Sequence, residues 1–93
     1  MRFETVEGKI VLFDDNDKQC GEITYKEKEN KVIVVDHTYV PDEYRGLGYA
    51  AALVSEVVAY AQRNDLKIVP LCPYVKKRFE KDEEFQKIEY CGE

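Results

Sequence analysis

Val40-Pro41-Asp42-Glu43-Tyr44-Arg45-Gly46-Leu47-Gly48-Tyr49-Ala50-Ala51-Ala52 is the stretch from which the rest of the chain can be read. Within and behind it, Leu47, Ala50, Val54, Val57, Val58 and Ala61 form an apolar stripe that predicts a helix over 46–63. A helix start leaves its first backbone N–H groups without partners. The usual remedy is a Ser, Thr, Asp or Asn just before the first turn. Gly46, Leu47 and Gly48 stand there instead, and none of them can cap. The glycines allow a sharp turn and the close approach of another group. Arg45 adds a positive charge at the mouth. Open amides, a helix dipole and a cation together make an anion site, and a diphosphate fits it. The plainer reading is a glycine-rich strand-to-helix turn satisfied by water.

Upstream, the texture is that of strands and turns. Arg2 to Val6 alternates loosely, Gly8 punctuates, and Lys9 to Phe13 is β-rich and ends in the turn cluster Asp14-Asp15-Asn16-Asp17. Cys20 to Tyr25 reads as a third strand, ended by a charged hairpin loop over 26–31. Val32 to Val40 is the strongest strand, apolar on both faces at its start, which predicts a central position covered on both sides. Downstream, Asn64 reads as a left-handed helix stop. Leu66 to Cys72 is the next strand, and Pro70 within it removes a ladder donor. Pro73 suits the first turn of a second helix. That helix is expected over 74–84, with Tyr74, Val75, Arg78 and Phe79 inward. Lys87 to Cys91 reads as a short last strand.

The expected order is β-β-β-β-α-β-α with a final β. The fold class is α+β: a mixed, mainly antiparallel sheet around a central helix. Its one parallel pair joins Val32–Val40 to Leu66–Cys72.

Composition bounds the function. At 93 residues the chain has room for one domain, over 1–93, and 44% hydrophobic content is globular. Lys and Arg number 14 against 19 Asp and Glu, a net charge of −5, so no basic face for nucleic acid is expected. The longest apolar run, Tyr49 to Val54, is far short of a membrane span, and MRFETVEGKI carries no secretory core. Cys20, Cys72 and Cys91 are odd in number and widely spaced, which fits neither a disulfide framework nor a metal knuckle. The expectation is a cytoplasmic, reduced protein, a monomer or weak dimer, with no metal, membrane or nucleic-acid partner.

The anion site has few candidate folds. The string lacks the GK[ST] ending of a nucleotide P-loop. Gly46 to Ala51 formally fits G-x-G-x-x-[GA], but Pro41 to Arg45 separate it from its strand, and Asp65 precedes the next strand rather than closing it. Arg45-Gly46-Leu47-Gly48-Tyr49-Ala50 does match [QR]-x-x-G-x-[GA], and with it the chain resembles the GCN5-related N-acetyltransferases. His37-Thr38-Tyr39-Val40-Pro41 upstream and Leu71-Cys72-Pro73-Tyr74 downstream are similar to its very short, single-domain branch. The resemblance runs from about Phe3 to Phe85.

The resemblance implies acetyl-CoA, or coenzyme A, as cofactor. Its pyrophosphate would sit on the amides of Gly46, Leu47, Gly48, Tyr49 and Ala50, beside Arg45. Its pantetheine arm would lie between the parallel strands, near Tyr39, Val40 and Pro73. The implied activity is direct transfer of acetyl to an amine, either a small amine or a protein lysine. His37 is a candidate base, or a partly buried histidine that orients the following turn. Cys72 is a candidate acid for the leaving thiolate or a transient acyl carrier, or else a small buried apolar residue. Tyr74 is a candidate acid, or packs on the pantetheine arm. Asp42 and Glu43 could recruit a cationic substrate or be plain turn residues.

Two positions depart from the branch. Tyr39 stands where Glu is frequent, and the tail from Phe79 to Phe85 lacks a His-Pro pair. The helical segment usual between the first two strands is also missing, which predicts an open, shallow acceptor side. The alternatives are a non-catalytic domain that binds coenzyme A or another protein, and a structural β-α module with no ligand.

Overall fold

A computed structural model describes residues 1–90. Its five-stranded sheet runs in chain order: β1 (Arg2–Val6), β2 (Lys9–Phe13), β3 (Gln19–Lys28), β4 (Val32–Tyr39) and β5 (Lys67–Pro70). β1 to β4 are antiparallel neighbours, whereas β4 and β5 are parallel. A parallel pair needs a crossover, and α1 (Tyr49–Arg63) supplies it. After β5 come α2 (Pro73–Lys81) and α3 (Glu83–Gln86), and one parallel bridge joins Ile68 to Glu89. The expected mixed, mainly antiparallel α+β architecture is the one observed. No described helix is long and apolar enough to cross a membrane.

Residues opposite each other across a ladder share a face of the sheet. Ile10 and Ile23, Tyr25 and Val35, and Ile33 and Ile68 are such pairs. All six are buried in one cluster with Leu53, Val54 and Val57 of α1, Val75 and Phe79 of α2, and Phe85 of α3. The helices therefore pack on a single face. The other face carries Glu4, Lys9, Val11, Glu22, Thr24 and Val34 by the same register. The double cover expected for β4 is not found, because Val34 is only half-buried there, between Lys26 and Val69.

At Gly21 the sheet lies close under Leu53 of α1. A Cβ there would stand 2.9 Å from Leu53 Cδ1 and 3.3 Å from the Tyr39 carbonyl, so any side chain at this point would have to displace the buried Leu53 methyl.

Several boundaries move. β3 continues to Lys28, so part of the expected hairpin loop is strand. Lys26 and Lys28 lie opposite Val34 and Val32 on the open face, where charged ends stay in water. The turn itself is made by Asn30 and Lys31, both left-handed. α1 begins at Tyr49 rather than Gly46. Its left-handed stop is Asp65, at φ 57°, while Asn64 stays at φ −111°. The continuous helix expected over 74–84 is broken at Asp82, whose carboxylate accepts from the Glu84 and Phe85 amides and starts α3 anew. Of the expected last strand only the Glu89 bridge is present, and Cys91 lies outside the described residues.

β4 also holds an extra residue. Ile23 and Thr24 pair with Thr38 and His37, but Tyr25 pairs with Val35, so Asp36 has no opposite number. Such a bulge shifts the strand by one residue, and a one-residue shift exchanges the faces of everything beyond it. The inner face thus passes from Ile33 and Val35 to Thr38 and Val40, and His37 and Tyr39 fall on the open face.

Candidate functional site

The ladder between β4 and β5 stops at Val35 and Pro70. The amides of Leu71 and Cys72 both turn to the Val35 carbonyl, each at 3.0 Å. Pro70 has no N–H with which to continue the pairing. Beyond this point a cleft of about 430 Å³ opens. Thr38, Tyr39 and Val40 form one wall. Tyr44 to Gly46 and Gly48 to Ala51 form another, and Tyr74 of α2 closes the far end.

The start of α1 faces this cleft without a side-chain cap. Gly48 is its N-cap residue, with φ 84°, and Gly46 has φ 81°. Both values are strained for any side chain. A Cβ at either position would meet nothing within 4 Å, so the space over the amides is open. Arg45 is held across this loop: Nε donates to the Val40 carbonyl at 3.1 Å and Nη1 lies 3.0 Å from Asp42. Behind it, a single 3₁₀ turn over Asp42–Tyr44 brings the Tyr44 ring 5.8 Å from that of Tyr49. The Tyr44 hydroxyl donates to Asp14 at 3.2 Å, tying this turn to the β2–β3 hairpin.

At the other end of the cleft, the Cys72 thiol donates to Thr38 Oγ1 at 3.7 Å. Cys72 is the N-cap residue of α2 and is 7% exposed. Burial pushes its thiol pKa up, but hydrogen bonding from the Val75 amide, the Thr38 hydroxyl and the Tyr74 amide outweighs burial and leaves it lowered. Cys20, also free, is fully buried and shifted the opposite way, chiefly by burial.

Tyr39, Val40, Arg45, Gly46, Gly48, Tyr49 and Ala50 thus come together around the cleft. Leu47, 60% exposed, and Pro73 do not line it. Among the expected catalytic residues, Tyr74 is on the wall and Cys72 sits directly behind Thr38. His37 is exposed on the open face, opposite Thr24, and takes no part in the wall. Asp42 is spent on Arg45. Thr38, Tyr44 and Ala51 line the cleft without having been singled out from the sequence. Only the bulge brings Thr38 inward, and no local pattern announces a bulge.

The model of the GCN5-related N-acetyl-transferase family matches residues 3–88. The chain belongs to that family. Among solved structures, this acetyltransferase-family chain is similar to a GCN5-like protein from Staphylococcus aureus studied in solution. The two are 35% identical with a TM-score of 0.76, over 99% of this chain and 90% of the other. It shares its fold with the GNAT family N-acetyltransferase YhbS of Escherichia coli, whose structure is a complex with CoA. There the TM-score is 0.63 at 20% identity, over 76% of this chain and 43% of that one. Protein NATD1 of Homo sapiens is 33% identical over 55 residues, 59% of this chain and 49% of its own length. The chain spans about half the length of the curated relatives it matches. Membership carries acetyl transfer from acetyl-CoA as the general activity of the family.

Proposed function

We propose that this chain is an acetyl-CoA-dependent N-acetyltransferase that passes acetyl directly to an amine. The uncapped start of α1 is the observation that carries the reading. Its amides open onto a cleft, with two left-handed glycines and clear space where any other residue would have a Cβ. A pyrophosphate held this way binds to amides and a helix dipole rather than to lysines. That suits a chain of net charge −5. CoA bound to YhbS, which has the same fold, supports the assignment.

When bound, acetyl-CoA supplies an acyl group activated as a thioester. This chain contributes the surroundings. Past the bulge, β4 has lost its partner β5, so its edge at Tyr39 and Val40, where among the described residues the Val40 carbonyl accepts only from Arg45, is open to pair with the pantetheine amides as an added strand would. Thr38 and Tyr74 border the far end of the cleft, and the Tyr74 hydroxyl is the wall group suited to protonate the departing thiolate. His37 belongs to the open face, so a base role for it requires that the amine arrive from that side. Only the turn Glu7-Gly8 joins β1 to β2, which leaves the acceptor side uncovered and favours a protein lysine over an enclosed small amine.

One observation favours a second route. The Cys72 thiol lies 3.7 Å from the wall residue Thr38, and hydrogen bonds there lower its pKa, which suits a nucleophile better than an acid. Acyl transfer would then form a Cys72 thioester, release the CoA thiolate, and pass acetyl to the amine in a second step.

The test is to incubate the protein with acetyl-CoA and a panel of amines and lysine peptides, following free thiol. Peptide mass spectrometry without any amine checks Cys72. Thiol release that depends on an amine, with no acetyl on Cys72, is the expected result. An acetylated Cys72 selects the two-step route. Binding of CoA without turnover on any amine favours a non-catalytic coenzyme A-binding domain.

A further inference from the structure

We infer that Thr24 and Asp36 form a clasp that fixes the register of β4 and so decides which side chains face the cleft. Asp36 is the extra residue of the bulge. Thr24 Oγ1 donates to its carboxylate at 2.6 Å, the short distance of a hydrogen bond to a charged acceptor. The same oxygen lies 3.4 Å from the His37 carbonyl, so one hydroxyl touches both bulged residues. All of this happens on the open face, away from the cleft wall.

A bulge leaves a residue unpaired and the ladder locally broken, so it persists only where something offsets that loss. Here the alternative register is easily imagined. Without the extra residue, His37 and Tyr39 would take the inner positions of Thr38 and Val40. Cys72 would lose its Thr38 partner, and a tyrosine ring would replace the valine that packs beside Gly21. Packing of Val40 disfavours that arrangement from the inner side, and the clasp disfavours it from the outer side. Neither clasp residue lines the cleft, so both act as positioning residues. Their effect on turnover rests on the acetyltransferase reading; their effect on register does not.

The test compares Thr24→Val, which keeps shape and removes the hydroxyl, with Thr24→Ser, which restores it. The first readout is the alkylation rate of Cys72, resolved by peptide from that of Cys20. It should change by about threefold or more in Thr24→Val and return to wild type in Thr24→Ser. The second is a split in kinetics. Acetyl transfer should fall about tenfold in kcat, while the Kd for CoA rises less, by about threefold, because the α1 amides are untouched and only the Tyr39–Val40 side of the cofactor cleft moves. Asp36→Asn, which can still accept from Thr24, should be milder in both readouts and serves where Thr24→Val folds poorly. Wild-type alkylation and turnover in a folded Thr24→Val, or a failure of serine to rescue, would overturn the clasp. If the wild-type protein acetylates nothing, the functional reading fails alone, and the Cys72 alkylation rates still decide the clasp.

Discussion

The thiol of Cys72 rests 3.7 Å from the hydroxyl of Thr38, across the gap where β4 and β5 have parted. Two strands that pair through Val35 and Pro70 are thus held together again at the far end of the cleft by side chains. The contact also has an electrostatic consequence. The folded protein favours the Cys72 thiolate relative to an unfolded thiol of pKa near 9.0.

The first prediction follows from that shift. Alkylation of native Cys72 should reach its half-maximal rate at a lower pH than in the denatured chain. Thr38→Val should move the midpoint back up. The sign for stability is fixed by linkage: the unfolded state binds more protons between the two pKa values. The group's contribution is therefore fully present above the unfolded value and lost as pH falls through the folded one. A native midpoint at or above the denatured one would contradict the arrangement.

Gly48 should tolerate no side chain. Its φ of 84° places any Cβ in strain, at a cost of about 1–2 kcal/mol. A valine would also project into the space over the amides, where nothing lies within 4 Å. Calorimetry on a folded Gly48→Val should show CoA affinity reduced at least about tenfold. Undiminished affinity would move the cofactor elsewhere.

Asp14 should support the cofactor loop from a distance. Its carboxylate is held below the usual range, first by the Lys18 amide and then by the Asn16 amide and the Tyr44 hydroxyl. These contacts favour the ionised form. They contribute above pH 3.8 and are lost as pH falls through the lower folded value. Asp14→Ala and Tyr44→Phe should each weaken CoA binding by about threefold. The double variant should be no weaker than the worse single one, since both remove one contact. Full additivity in the binding cycle would separate the two residues.

Gly21→Ala tests the seat of α1. The new methyl would meet Leu53 Cδ1 at 2.9 Å. Denaturant unfolding should show a loss of about 1–3 kcal/mol. A neutral result would mean that α1 does not press on the sheet there.

The sequence and the structure agree where periodicity is strong and part where a single residue decides. Alternation, a helical stripe and Pro73 led to the order of elements, because burial enforces those patterns over many residues at once. The uncapped glycines led to the cleft for the same reason: an absence of caps is visible in any sequence. His37 and Thr38 show the limit. Both lie in the string that resembles the family, and strand alternation says only that they face opposite ways. Which of them faces inward depends on Asp36 being extra, and that depends on Thr24, twelve residues away on another strand. The break at Asp82 is of the same kind. An Asp inside a polar helical stretch reads as one more solvated residue until its carboxylate is seen to cap Glu84 and Phe85. Tyr44 likewise gained its place from Asp14, a residue that reads only as part of a turn.

The most direct measurement is a titration of isotope-labelled protein with CoA, followed by amide chemical shifts. The expected result is saturable binding, with the largest shifts at Gly46, Gly48, Tyr49 and Ala50 and a second group at Tyr39 and Val40. Absence of binding, or shifts gathered away from the start of α1, would contradict the assignment of this cleft.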